Sequence, residues 1–107
     1  METGKVFYGG TNFLKEELAE AAIQHEIELE YYKTTSIVSN KNPIFYGIEI
    51  VKKEYIKDET ELEAKTVNCI TNEEEVVDQI LGTLKRNKVT PIALKDVLSD
   101  MCLSELS

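Results

Sequence analysis

The chain has 107 residues, the length of one domain with little room for a second. Its 20 acidic and 12 basic residues give a net charge of −8, which repels the phosphates of nucleic acid and of anionic membrane surfaces and suits solubility or a basic protein partner. An apolar fraction of 42 % with 30 % charged residues is ordinary for a soluble globule, so a cytoplasmic protein that binds neither nucleic acid nor membrane is expected.

Charge is uneven along the chain. Residues 1–30 hold seven acids and two bases, residues 31–57 two acids and five bases, and residues 58–78 eight acids and one base. The basic middle is either a patch or, the better reading, the partner of acidic neighbours across a sheet. The opening "METGKVFYGG" has no clear period, and Gly9-Gly10 interrupts whatever precedes it; residues 1–11 are expected to be a weakly ordered segment, with Val6, Phe7 and Tyr8 at most a short edge strand. Residues 12–24 read as a helix capped by Thr11 or Asn12. Glu16 and Glu17 sit early in it, and Leu14, Leu18, Ala21 and Ala22 form a thin apolar stripe.

The period then changes to two. In "EIELEYY", Ile27, Leu29 and Tyr31 alternate with Glu26, Glu28 and Glu30, the pattern of a half-buried strand with an acidic wet face. Residues 39–43, "SNKNP", are a turn signal. "IFYGIEIVKKEYI" follows, with Ile44, Tyr46, Ile48 and Ile50 on one face and Phe45, Gly47, Glu49 and Val51 on the other, as in a central strand. After a charged loop, "LEAKTVNCI" places Leu62, Ala64 and Thr66 opposite Val67 and Cys69. Short loops between such strands make antiparallel neighbours.

Residues 73–87 carry the clearest helical pattern. Thr71 or Asn72 starts it as a capping box with Glu74 or Glu75, and Val76, Val77, Ile80, Leu81 and Leu84 form its stripe. Lys85, Arg86 and Lys88 favour the C-terminal end, Asn87 suits a left-handed cap, and Gly82 permits a close approach. Thr90-Pro91 opens a last helix with Leu94, Val97, Leu98, Met101 and Cys102 on one face. The pair outlines a helix-turn-helix, but after Pro91 only Lys95 suits base reading, and Asp96 and Asp100 repel phosphate. A pair of packing helices is the better reading.

"YGIEIVKK" (Tyr46 to Lys53), "VNCIT" (Val67 to Thr71) and "NKVTPIALKDVLSD" (Asn87 to Asp100) resemble a family of small uncharacterised proteins, a domain of unknown function from clostridia and related Firmicutes. Its pattern is a Tyr-Gly-Ile-Glu strand, an acidic-start helix and an Asn-x-Val-Ser/Thr-Pro-Ile helix opening. The resemblance covers roughly residues 30–103, and Ala93 stands where that pattern has a polar residue. It implies fold and source and assigns no site.

The chemistry-bearing residues do not assemble a reactive set in sequence. Cys69 and Cys102 are 33 apart, no C-x-x-C occurs, and His25 is the single histidine, which removes the common zinc and redox patterns. Glu73, Glu74 and Glu75 cannot converge on one helix face. Glu26, Glu28 and Glu30 line one strand face without a closing ligand, and Gly9-Gly10 lacks the rest of a phosphate loop. Neither a metal nor a cofactor is expected.

The expected fold is α+β: over residues 12–104, a three-stranded antiparallel sheet with an N-terminal helix and two C-terminal helices packed on it. The expected function is a non-catalytic interaction or regulatory protein that binds another protein or itself as a homodimer, with Tyr31, Tyr32, Tyr46, Glu28 and Glu30 as the candidate interaction surface. Binding of a basic protein as an acidic decoy of nucleic acid is a variant of it. The alternative is a small-ligand binder or enzyme that brings Tyr46, Glu49 and His25 into one pocket.

Overall fold

The structure, a computed structural model, describes residues 2–13, 26–37, 44–56 and 58–106. Four strands form one antiparallel meander in the order β1-β2-β3-β4: β1 Glu2–Phe13, β2 Glu26–Ile37, β3 Phe45–Ile56 and β4 Glu59–Thr71. Helix α1 Glu74–Arg86 follows. A 3-10 turn, Pro91–Ala93, then leads into α2 Leu94–Leu106.

This corrects the expected fold in two respects. The sheet has four strands among the described residues, not three, and its first strand occupies the segment expected to be weakly ordered. Asn12 and Phe13, the expected start of an N-terminal helix, pair with Glu28 and Ile27 as the end of β1. The rest of that expected helix lies outside the described residues. The physical reason is cross-strand partnership. Phe13 packs against the core while its backbone extends the sheet, and tertiary pairing of this kind outweighs a weak local helical pattern.

The register sorts side chains by face, because directly paired residues point the same way. Leu29 and Tyr31 of β2 and Ile48 and Ile50 of β3 face the helices and are buried. Val77, Ile80, Leu81 and Leu84 of α1 and Leu94 and Leu98 of α2 close on them, with Val76, Val97 and Met101 packed alongside, so the α1 stripe and the α2 stripe as far as Met101 pack as their periodicity predicts; the Cys102 side chain lies outside the described residues. Glu28, Glu30 and Tyr32 alternate with that column and face the other way. Between Phe7 and Gly9 the β1 register slips by one residue, a bulge that leaves Tyr8 unpaired.

The helix ends are set by backbone. α1 begins at Glu73 without a side-chain cap, so neither Thr71 nor Asn72 caps it; Thr71 Oγ1 accepts a hydrogen bond from the Glu73 N–H instead (3.1 Å). At its other end the left-handed residue is Lys88 (φ 51°) rather than Asn87 (φ −92°). The Lys88 N–H reaches Lys85 O and the Val89 N–H reaches Leu84 O, a Schellman closure. The next residues are tied to the sheet: the Tyr31 hydroxyl, inside the core, donates to Val89 O at 2.9 Å. Gly82 gives room to β1, since a Cβ there would meet the Tyr8 hydroxyl at 3.3 Å.

Candidate interaction surface

No described element covers the second face of the sheet. Its side chains come from alternate positions: Lys5 and Phe7 of β1; Glu28, Glu30, Tyr32 and Thr34 of β2; Glu49, Val51, Lys53 and Tyr55 of β3; Leu62, Ala64 and Thr66 of β4. Strand alternation alone puts each set on one side. Three apolar or aromatic side chains stand out from it: Phe7 at 56 % exposure, Leu62 at 67 % and Tyr55 at 37 %.

The charges on this face are held by one another. Lys5 Nζ binds Glu49 Oε1 at 2.8 Å and lies 4.5 Å from the centre of the Tyr32 ring. Glu49 Oε2 accepts the Thr66 hydroxyl at 2.8 Å. Burial pushes the Glu49 pKa up, but the hydrogen bonds from Lys5 and Thr66 outweigh it and hold the carboxyl below its ordinary value. Lys53 pairs with Glu30 at 3.1 Å, and the Tyr32 hydroxyl donates to the same carboxylate at 3.3 Å. Desolvation, reinforced by Glu30, raises the Tyr32 pKa. The Tyr55 hydroxyl donates to Glu28 at 2.6 Å, and that bond raises its pKa. The Phe7 ring meets the Tyr32 ring edge-on, with centroids 5.5 Å apart.

The five residues expected to form one surface are divided between two faces. Glu28, Glu30 and Tyr32 lie together on the open face. Tyr31 is fully buried on the helix side, where desolvation pushes its pKa up to about 12, so it has no part in a surface. Tyr46 shares the helix side and packs against the core. The alternative trio is likewise separated. Tyr46 and Glu49 point to opposite faces of β3, and His25 lies outside the described residues. Among the described residues no three His, Cys, Asp or Glu side chains gather to hold a metal, and no helix is long and apolar enough to cross a membrane. Sequence reasoning missed Lys5, Phe7, Lys53 and Leu62 as members of this face. The signal was present for Lys53 and Leu62, whose parity matches Glu49 and Ala64.

Residues 12–104 match a family of unknown function (DUF6514). The chain belongs to that family. The match takes in all of α1 and β2 to β4, so the strands that build most of the open face are family structure, whereas Lys5 and Phe7 lie ahead of it. No curated protein and no solved structure is similar enough to match.

Proposed function

We propose that this chain is a non-catalytic protein-binding module that uses the open sheet face to join a second copy of itself. The observation that carries the reading is the exposure of Phe7, Tyr55 and Leu62 on a face whose ionic groups already pair among themselves. Burying such a face removes apolar surface from water and leaves few charges without partners. Four strands of 12 or 13 residues, about 40 Å long and about 15 Å across, span a flat area of about 600 Å² per copy, or about 1,200 Å² in total, the lower limit for a specific pair. Two sheets stacked about 10 Å apart then give a helix-sheet-sheet-helix sandwich. A cytosolic setting agrees with the scarcity of cysteine. The Tyr-Gly-Ile-Glu and Asn-Lys-Val-Thr-Pro-Ile motifs support a clostridial or related source.

Sedimentation velocity tests the reading. The wild type is expected as a concentration-dependent dimer, and Phe7→Asp and Leu62→Asp as monomers with unchanged circular dichroism, because both side chains are exposed. A wild type that stays monomeric at its highest soluble concentration, or variants that dimerise as well as it does, would reject it.

A further inference from the structure

Among the described residues β4 is one edge of the sheet, and every residue from Glu59 to Thr66 is exposed. A strand edge presents a row of backbone N–H and C=O groups that lack a strand partner. On the helix side of this edge stand Glu59, Glu61, Glu63 and Lys65, the positions paired with Ile56, Glu54, Lys52 and Ile50. Alternate residues of a strand are about 6–7 Å apart, so the three carboxylates form an evenly spaced column. At its Lys65 end the edge faces the start of the C-terminal helical segment across an open cleft of about 450 Å³, walled by Glu63, Lys65, Pro91, Ile92, Lys95 and Asp96. Ile92 lines this cleft with 82 % of its surface exposed. A strand edge beside a helix-walled cleft is the arrangement used for strand addition, in which main-chain hydrogen bonds supply affinity and a pocket for alternate side chains supplies selectivity.

We propose that the β4 edge and the Pro91–Asp96 cleft accept an extended, basic segment of a partner protein, added antiparallel to β4. One apolar side chain of the segment sits opposite Lys65, in the cleft against Ile92. At two-residue steps from it, Lys or Arg side chains face Glu63, Glu61 and Glu59. The intervening side chains lie on the open-face side beside Leu62 and Ala64, where β-branched residues fit.

Charge decides the occupant. The one antiparallel register that pairs all of Glu59–Lys65 with its own copy sets Glu61 against Glu63 twice and Glu59 against Lys65 twice, so the directly opposed pairs offset one another, but each column keeps three carboxylates against one ammonium and two such columns repel. A second copy is therefore disfavoured at this edge, whereas a basic strand gains three opposed charge pairs. The proposal does not rest on the open-face dimer: the acidic column and Ile92 belong to the other side of the sheet, and only the segment's intervening side chains border Leu62.

The probe is the capped, fluorescently labelled peptide Val-Thr-Lys-Val-Lys-Val-Lys, compared by anisotropy with its glutamate-for-lysine counterpart on the full chain. The lysine peptide is expected to bind at least about tenfold tighter. Glu61→Lys combined with Glu63→Lys is expected to invert that preference, and Ile92→Asp to weaken the lysine peptide by about tenfold. All three side chains are exposed, and circular dichroism checks that the variants fold. N-methylation of one alternate set of peptide amides is expected to abolish binding, and of the other set to be tolerated, as only a paired strand requires. Equal affinity for the two peptides, indifference to both methylation patterns, or an absence of binding by the lysine peptide would overturn the proposal. Self-association lost in the Glu61→Lys, Glu63→Lys variant but kept in Leu62→Asp would also overturn it, by making a second copy the occupant.

Discussion

Replacing Tyr31 with Phe removes one oxygen from the centre of the molecule and leaves the ring. The hydroxyl is buried and donates to Val89 O at 2.9 Å, and Val89 is itself buried. The variant therefore leaves a carbonyl without its partner in a site that water does not readily reach. An orphaned neutral acceptor costs about 1–3 kcal/mol, and the unchanged ring adds no cavity beyond the hydroxyl. A loss of about 2 kcal/mol lowers Tm by about 8–15 °C in a domain of this size, a large part of a total stability of about 5–15 kcal/mol. The pH dependence supplies a second reading. Burial raises the Tyr31 pKa from 10 to about 12. The folded state thus holds its proton more tightly, and this contribution is full below pH 10 and lost as pH rises toward 12. Urea denaturation across that window should show the wild type losing more stability than Tyr31→Phe, with the two curves converging. A loss under about 0.5 kcal/mol at neutral pH, together with parallel alkaline limbs, would refute the reasoning.

Gly47→Ala should be more damaging than its size suggests. A Cβ there would lie within 3.0 Å of Val67 O, Thr34 Oγ1 and the Asn68 Cα, two of them backbone, and overpacking of this kind costs about 1–3 kcal/mol by chemical denaturation. Leu81→Ala removes a fully buried side chain from α1 and should cost about 2–5 kcal/mol, read as a lower urea midpoint with an unchanged slope. Lys33→Met cuts the ion pairs to Glu74 (2.7 Å) and Asp78 (3.0 Å); both carboxylates are exposed, so the loss should be about 0.5–1 kcal/mol and should shrink in high salt. Glu49 has a depressed pKa, so its contribution is present above the unfolded value and lost as pH falls through the folded one. Glu49→Gln should flatten the acid limb of the stability curve.

Strands β2, β3 and β4 were legible because each holds a period of two over several residues. The same pattern already separated Ile27, Leu29 and Tyr31 from Glu26, Glu28 and Glu30. Followed strictly, it places Tyr31 with the core, since the column it shares is apolar, and it places Tyr46 with Ile48 and Ile50. Adjacent Tyr31 and Tyr32 point to opposite faces by the same parity, so a surface that pools them cannot lie on one side of the sheet. β1 was not legible for a different reason. Its bulge between Phe7 and Gly9 shifts the alternation midway, and two glycines blur the remainder, so no period survives in the letters. Asn12 and Phe13 then joined a helical reading because pairing with Glu28 and Ile27 is a long-range event that local propensity does not record. The helix boundaries were legible to within a residue or so. The left-handed position fell on Lys88 instead of Asn87 because the Schellman hydrogen bonds to Lys85 O and Leu84 O fix where the chain must turn.

The meander order means that each strand finds its sheet neighbour next to it in the chain. Ordering can therefore spread by successive zipping, without a distant segment having to be recruited first. The β3–β4 hairpin has the shortest connection, residues 57–58, and it carries the smallest loop-closure entropy. It is the natural seed, with β2 joining it and the helices then sealing the column headed by Tyr31. β1 must close across residues 14–25 and adds last. Refolding should accordingly show protection of the β3 and β4 amides from hydrogen exchange before those of β1.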